Sequence, residues 1–348
     1  MLALRTREGR GRSGRLGLAC VAGAAAAGVV GYAIPLPTAG TTAGGPAYAQ
    51  IGVVQGNVPH AGMDFLGRPM QVLDNHVAAT FDLMNKVDAG KLPQPQLVIW
   101  PENSSDVNPY NTPAAYDAIS QAAGRTGVPM LVGALVDGPD AQHVMNEGIV
   151  WNPKTGPGAS YTKQHPVPFG EYVPFRSILM KYITRLQRVA RDFYPGDHTG
   201  ILAVGPAKIG DVICFEIAYD GIVHDAVTKG GRVLVVQTNN ATYEHTDQPD
   251  QQFAMSRLRA VEHGRAVVIA ATSGISAVIA PDGSVVQRTQ LATQAELDVK
   301  VPLRDGLTLA DRVGAAPEWA LSFIGLGAVG FAVWARRRRS SGTPGTPA

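Results

Sequence analysis

Cys214 stands in Asp211-Val212-Ile213-Cys214-Phe215-Glu216, where a short apolar run is followed at once by a thiol and an acid. That order describes a buried strand delivering a nucleophile to the mouth of a pocket. The other cysteine, Cys20, lies in an apolar N-terminal stretch, so a disulfide is not expected, and no Cys/His spacing offers a zinc site. Cys214 is therefore either an inert core thiol, the commoner fate of a lone cysteine, or a reactive one. Glu102, in Trp100-Pro101-Glu102-Asn103, follows an apolar strand that Pro101 must end, which suits either a general base or a surface turn residue. Lys163 stands in Tyr161-Thr162-Lys163-Gln164-His165. Just beyond it, Pro166 to Phe175 wraps one acid, Glu171, in prolines and aromatic or β-branched residues. A run so stiff and apolar implies packing over something.

The elements that must position these groups alternate between strand and helix. Ile51 to Gln55, Leu97 to Trp100, Met130 to Val132, Val233 to Val236, Val267 to Ala270 and Ala277 to Ile279 read as buried strands. Helical spacing runs from Asp74 to Asp88, from the Thr112-Pro113 start to Gly124, over about Gly221 to Lys229, and from Gln251 to Gly264. The class is α/β, without an internal repeat.

The ends differ from the middle. A charged fraction of 17%, 40 Gly and 25 Pro across 348 residues point to many turns and some membrane-embedded sequence. Residues 1–15 form a basic arm, 16–36 an uncharged run long enough to span a bilayer, and 37–47 a Pro/Gly/Thr linker. The catalytic unit is expected over 48–312, a second span over 317–335 with Trp319 and Trp334 at its edges, and a basic, disordered tail over 336–348. Arginines flank both runs, so the positive-inside rule places both termini in the cytoplasm and the unit between them outside it. A signal peptide cleaved at Ala47-Tyr48-Ala49 is the competing reading of the first run. Net charge is only +2, with arginines concentrated at the termini, so no nucleic-acid surface is expected.

Taken together, Trp100-Pro101-Glu102, Tyr161-Thr162-Lys163, Pro168-Phe169-Gly170-Glu171-Tyr172-Val173-Pro174 and Ile213-Cys214-Phe215-Glu216 resemble the nitrilase superfamily with its Glu-Lys-Cys triad. The Pro168-to-Pro174 element is similar to that of the apolipoprotein N-acyltransferase family within it. Thr238-Asn239-Asn240-Ala241, Met255 to Arg265 and Ala271 to Ala277 agree with that family's later segments. The resemblance covers roughly residues 48 to 335. It implies an αββα sandwich bracketed by one transmembrane helix at each end, with Glu102 as general base, Lys163 as stabiliser of the tetrahedral intermediate, Cys214 as nucleophile and Glu171 as an additional essential acid. Asn146, Phe215, Glu216, Asn240 and Tyr243 are the implied substrate-binding or supporting residues. Phe215 stands where the family often has Tyr, and Thr242-Tyr243 where it often has Trp-Phe.

The implied activity is transfer of an acyl chain from a phospholipid, through a Cys214 thioester, to the diacylglyceryl-cysteine of a lipoprotein at the cell membrane. No metal or organic cofactor is implied. The family carries several membrane helices before its catalytic unit and one is read here, so either a split or wrongly started gene or a separate multi-helix membrane subunit accounts for the rest. A membrane-anchored carbon-nitrogen hydrolase with the same triad, and a catalytically silent partner-binding module, are the alternatives. A thiol-reactive acyl probe separates a live site from a silent one.

Overall fold

The structure is a computed structural model that describes residues 21–23, 25–26, 35–59, 70–243 and 246–340, excepting the side chains of 339 and 340. The chain divides into two units, Met1–Pro37 and Thr38–Ala348. In the first, 21–23 and 25–26 are helical. The expected basic arm, most of the expected first span and the residues from 341 onward lie outside the described residues.

The second unit is built on two sheets. In chain order its strands are β1 (Tyr48–Gln55), β2 (Leu97–Ile99), β3 (Met130–Asp137), β4 (His143–Asn152), β5 (Gly156–Thr162), β6 (Asp192–Phe193), β7 (Ile201–Val204), β8 (Ala207–Ile213), β9 (Val233–Thr238), β10 (Val267–Ala271), β11 (Ala277–Ile279), β12 (Val285–Arg288) and β13 (Ala295–Pro302). One sheet runs β13-β1-β2-β3-β4-β5 with β6 beside β4, the other β12-β11-β10-β9-β8-β7. Its longer helices are α1 (Gln71–Asp88), α2 (Pro113–Thr126), α3 (Asp220–Thr228), α4 (Gln248–His263) and α5 (Ala316–Ser340). Strands β1, β2 and β3 are mutually parallel, as are β8, β9 and β10, and each set is joined by two helices. Such crossovers require both sheet faces to be covered, which is why these strands read as unbroken apolar runs.

Alternation along those strands sorts the core into three layers. Ile51, Val53, Leu97 and Ile99 point inward and meet Ile209, Val233, Val235 and Val268 of the other sheet. The intervening Val98 and Trp100 pack outward on Leu73, Leu83, Ile119 and Ala123 of α1 and α2. On the far side Leu234, Val236 and Ile269 meet Val223, Ala226, Phe253 and Ala260 of α3 and α4. Helix, sheet, sheet, helix is the expected sandwich.

Several bounds differ from expectation. Helix α1 starts at Gln71, because Met70 takes a left-handed backbone that turns the chain into the helix three residues early. Helix α2 passes through Gly124 and ends where Gly127 adopts the left-handed C-cap conformation. Thr112 has the extended backbone of an N-cap, but its side chain makes no capping bond; Pro113 sets the start. Strands β4, β5, β6, β7, β12 and β13 were not expected. The C-terminal helix runs from Ala316 to Ser340 rather than over 317–335, since Ala and Arg continue a helix readily. Its stretch Ala316–Arg338 is long and apolar enough to cross a bilayer, and its side chains are not covered by protein.

Candidate active site

Glu102, Lys163 and Cys214 each follow the carboxyl end of a strand. Glu102 follows β2: Pro101 ends the strand, and Asn103 accepts a positive φ of 52° that lets the chain turn back. The turn lies so close to β3 that a Cβ on Gly133 would sit 2.1 Å from the Pro101 carbonyl oxygen, so only glycine fits there. Thr272 Oγ1 donates to the Glu102 carbonyl at 3.0 Å and fixes the turn to the second sheet. Glu102 is buried, so the surface-turn reading fails.

Lys163 follows β5, and its backbone is pinned on both sides: its N–H donates to the Asn146 carbonyl at 2.9 Å, and its carbonyl accepts from Gly196 N–H at 2.9 Å. The side chain, 1% exposed, reaches Glu102 Oε1 at 3.0 Å and Glu171 Oε1 at 2.7 Å. Glu171 comes from the stiff apolar loop, which closes on itself through Phe169 N–H to the Tyr172 carbonyl at 2.7 Å and Val167 N–H to Glu171 Oε2 at 2.7 Å. The expected packing is observed: Val167, Phe169 and Glu171 cover a cavity of about 490 Å³ that Glu102 and Cys214 also line.

Cys214 is presented by β8, whose last residue is Ile213. Its φ of 57° is left-handed, an unfavourable backbone for a residue with a Cβ, at a sharp strand-to-3-10 turn. Glu216 holds that turn. Its carboxylate accepts from Ile213 N–H and Tyr161 Oη on one oxygen, and from Gln164 and His165 N–H on the other, at 2.6–3.1 Å. Glu216 therefore ties the cysteine turn to the segment after Lys163 and is a supporting residue rather than a substrate contact.

The other candidates divide. Asn146 Nδ2 donates to Glu102 Oε1 at 2.6 Å. Tyr243 Oη lies 3.9 Å from Cys214 Sγ, and Phe215 is exposed beside it in a second cavity of about 280 Å³. Asn240 Nδ2 donates to Gln252 Oε1 at 2.8 Å and to Thr238 Oγ1 at 3.3 Å rather than to Sγ. The group that faces Sγ is Thr238, with Oγ1 3.3 Å from Sγ and 3.0 Å from Gln252 Oε1. A hydroxyl has one proton, so Thr238 donates to Gln252 or to sulfur, and developing negative charge on sulfur draws it over. Neither Thr238 nor Asn239, whose N–H donates to Glu102 Oε2 at 2.7 Å, was singled out as a site residue. Their signal was their place directly after the apolar strand Val233 to Val236.

Electrostatics follow from burial. Burial, and then the Glu102 charge, push the Cys214 thiol up to about 12 against the pull of Lys163, so the resting sulfur is protonated. Burial would lower Lys163, but the Glu102 and Glu171 carboxylates outweigh it and hold the ammonium well above its ordinary range. Burial raises Glu171 despite Lys163.

Asp211, also buried, stands apart. Neither carboxyl oxygen meets a donor, and Gln237 Oε1 is likewise unpaired. A Cβ on Gly148 would lie 2.3 Å from Asp211 Oδ2 and 2.5 Å from Gln237 Oε1, so the two groups face one point. Burial, with Glu216 and Glu102, holds the Asp211 carboxyl well above its usual range, and as a neutral acid it can donate to Gln237. A raised carboxyl contributes stability present below the unfolded value near ~3.9 and lost as pH climbs toward the folded one. Asp211→Asn, neutral at every pH and still a donor, is expected to gain about 1–2 kcal/mol at pH 7 and to flatten the pH dependence of urea unfolding. An Asn variant less stable than wild type at pH 7 contradicts a neutral Asp211.

Residues 54–304 match the model of the carbon-nitrogen hydrolase family. The chain belongs to that family. Among curated relatives, it is 41% identical over 298 residues to the apolipoprotein N-acyltransferase of Mycolicibacterium smegmatis, an alignment covering 84% of this chain and 50% of the relative. It is 30% identical over 246 residues to the apolipoprotein N-acyltransferase of Geobacter metallireducens, covering 70% and 46%. The chain thus spans about half the length of these curated relatives. Among solved structures, an amidase from Nesterenkonia sp. superposes with a TM-score of 0.53 at 19% identity, covering 74% of this chain and 92% of the amidase. That likeness shows a shared fold.

Proposed function

We propose that this chain is an apolipoprotein N-acyltransferase catalytic unit, which moves an acyl chain from a phospholipid to the α-amino group of a diacylglyceryl-cysteine. The observation that carries this reading is that Cys214 lies where the 490 Å³ and 280 Å³ cavities meet, beneath a loop that exposes Phe169 and, just beyond, Phe175 at 78%. A small water-soluble amide needs neither that volume nor an apolar rim; a lipid ester needs both. The names of the relatives support the same choice.

The hydrogen bonds assign the atoms. Glu102 Oε1 already accepts from Lys163 and Asn146, whereas Oε2 accepts only from Asn239 N–H and keeps a lone pair for the thiol proton. Lys163 spends two of its three N–H donors on Glu102 and Glu171, so the third remains for an oxyanion. As Cys214 Sγ bonds to the ester carbonyl carbon, its proton passes to Glu102 Oε2 and the carbonyl oxygen becomes an oxyanion facing Lys163. Collapse breaks the C–O bond; Glu102 returns the proton to the glycerol oxygen, and a lysophospholipid leaves a thioester on Cys214. The acceptor amine then attacks the thioester carbonyl, gives a proton to Glu102 and forms the amide, while that proton restores the thiol. Glu171 and Asn146 position Lys163 and Glu102.

The membrane completes the proposal. The C-terminal helix spans it with Arg336 to Arg339 in the cytoplasm, the expected N-terminal span returns to the same side, and the catalytic unit lies outside. A reporter inserted near Gly156 is expected outside and one fused after Ala348 inside.

The activity is tested by incubating detergent-solubilised protein with phospholipid and a diacylglyceryl lipopeptide, and by assaying ammonia release from small amides in parallel. A lipopeptide heavier by one acyl chain, lost in Cys214→Ala, is expected. Ammonia release without acylated lipopeptide means that the chain is a hydrolase instead.

A further inference from the structure

We propose that Arg185 and Arg188 bind the phosphate of an anionic phospholipid in the cavity beside Cys214 and so make the enzyme selective for the donor's headgroup charge. This inference rests on the acyltransfer reading above. Both residues belong to the 3-10 turn Thr184–Arg188, where side chains three apart project to the same side, and both line the 490 Å³ cavity that Glu102, Glu171 and Cys214 also line. Two arginines that flank the turn are neutralised: Arg176 pairs with Asp192, and Arg191 pairs with Asp137. Among the described residues Arg185 and Arg188 have no carboxylate partner, although the same segment places Ile183, Leu186 and Val189 along the cavity. Two uncompensated guanidiniums beside an apolar wall match a phosphodiester attached to a hydrocarbon.

Charge then distinguishes donors. The charged side chains lining the cavity are Arg185 and Arg188 against Glu102 and Glu171, and Lys163, bonded to both carboxylates, adds a third cation. The surplus is positive, so a headgroup with a net negative charge balances it, whereas a zwitterionic headgroup brings an ammonium into the same field. The other cavity at Cys214 is lined by Phe215, Met255 and three uncharged glutamines, which leaves the anionic end one side of the sulfur to occupy.

The test is the rate at which Cys214 of the full chain is acylated from mixed detergent micelles containing phosphatidylglycerol or phosphatidylcholine, read by intact mass. Wild type is expected to favour phosphatidylglycerol about tenfold. Arg185→Gln/Arg188→Gln should bring the two rates together, whereas Arg185→Lys/Arg188→Lys keeps most of the preference. Thermal unfolding and acylation by p-nitrophenyl acetate, which carries no phosphate, check that each variant retains an intact thiol site. A measurement without variants runs alongside: the wild-type preference should shrink as ionic strength rises. Inorganic phosphate, against chloride at matched ionic strength, should slow phosphatidylglycerol more than phosphatidylcholine by competing for the two guanidiniums; equal inhibition of both donors identifies free phosphate as the occupant and overturns the headgroup assignment. Equal wild-type rates from the two lipids, or a preference that survives the double Gln substitution, overturn the inference while acyl transfer stands. A thiol that reacts with p-nitrophenyl acetate but with neither phospholipid overturns the acyltransfer reading itself.

Discussion

Lys163→Met is expected to lose about 3–5 kcal/mol of stability at pH 7 and roughly 10³-fold in the rate of Cys214 acylation. The ammonium is buried between Glu102 and Glu171, at 3.0 and 2.7 Å, and methionine fills its space without its charge. Two carboxylates then share a site with no cation, and one must take up a proton for the variant to fold. Glu171 is the candidate, since burial already raises it in the wild type. The sign follows: a carboxyl raised in the fold contributes stability that is present in acid and lost as pH rises through its folded value. The deficit of the variant is therefore expected to narrow from pH 7 to about pH 5, as the shared proton binds. Urea unfolding at the two pH values measures this, and intact mass measures acylation. A methionine variant as stable as wild type at pH 7, or slowed less than tenfold, removes Lys163 from the account.

Glu102→Gln should nearly abolish acylation at neutral pH, a loss of about 10²–10⁴-fold, because the Cys214 thiol, at about 12, has nowhere to send its proton. Activity should then climb about tenfold per pH unit in alkali, as hydroxide takes over the proton and each unit multiplies the thiolate fraction. Loss of the Glu102 charge lowers the thiol's own value, so the rise begins below 12. Glu171→Gln should behave differently. Its carboxylate bonds Val167 N–H and Lys163, so the amide loosens the loop and the ammonium without removing the base, and alkali restores nothing. Equal pH profiles for the two variants contradict the division of roles.

Much of this was legible in the chain because burial on both faces leaves a plain signal. Leu97–Ile99, Val233–Val236 and Val267–Ala270 are apolar without interruption, and each belongs to a parallel ladder. Strand β4 was illegible for a reason tied to the chemistry: Asn146 bonds Glu102, Glu147 holds Thr162 and Gly148 makes room for Asp211, so its sequence is polar where it serves the site. Strand β5, with two glycines and a proline, carries little strand propensity and is held by its neighbour. In β13 Leu297, Val299 and Val301 alternate with Asp298 and Lys300, the period of a half-buried strand.

The site shows the same division. Glu102, Lys163, Glu171 and Cys214 stood out because unusual backbone contexts surround them, and the structure brings all four to one cavity and its floor. Thr238, Gln252 and the Asn239 N–H are ordinary groups whose importance comes only from where β9 and α4 place them. Arg185 and Arg188 lie in a segment with no periodicity, and only their place on the cavity wall sets them apart.

The central claim is that Cys214 accepts an acyl group from a phospholipid, and intact-mass analysis of the protein after incubation with phospholipid in detergent tests it most directly. The account predicts a gain of one acyl chain that hydroxylamine removes, that peptide mapping places on Cys214, and that Cys214→Ala, Glu102→Gln and Lys163→Met each suppress at neutral pH. A folded wild-type protein whose mass stays unchanged, while its thiol still reacts with p-nitrophenyl acetate, contradicts it.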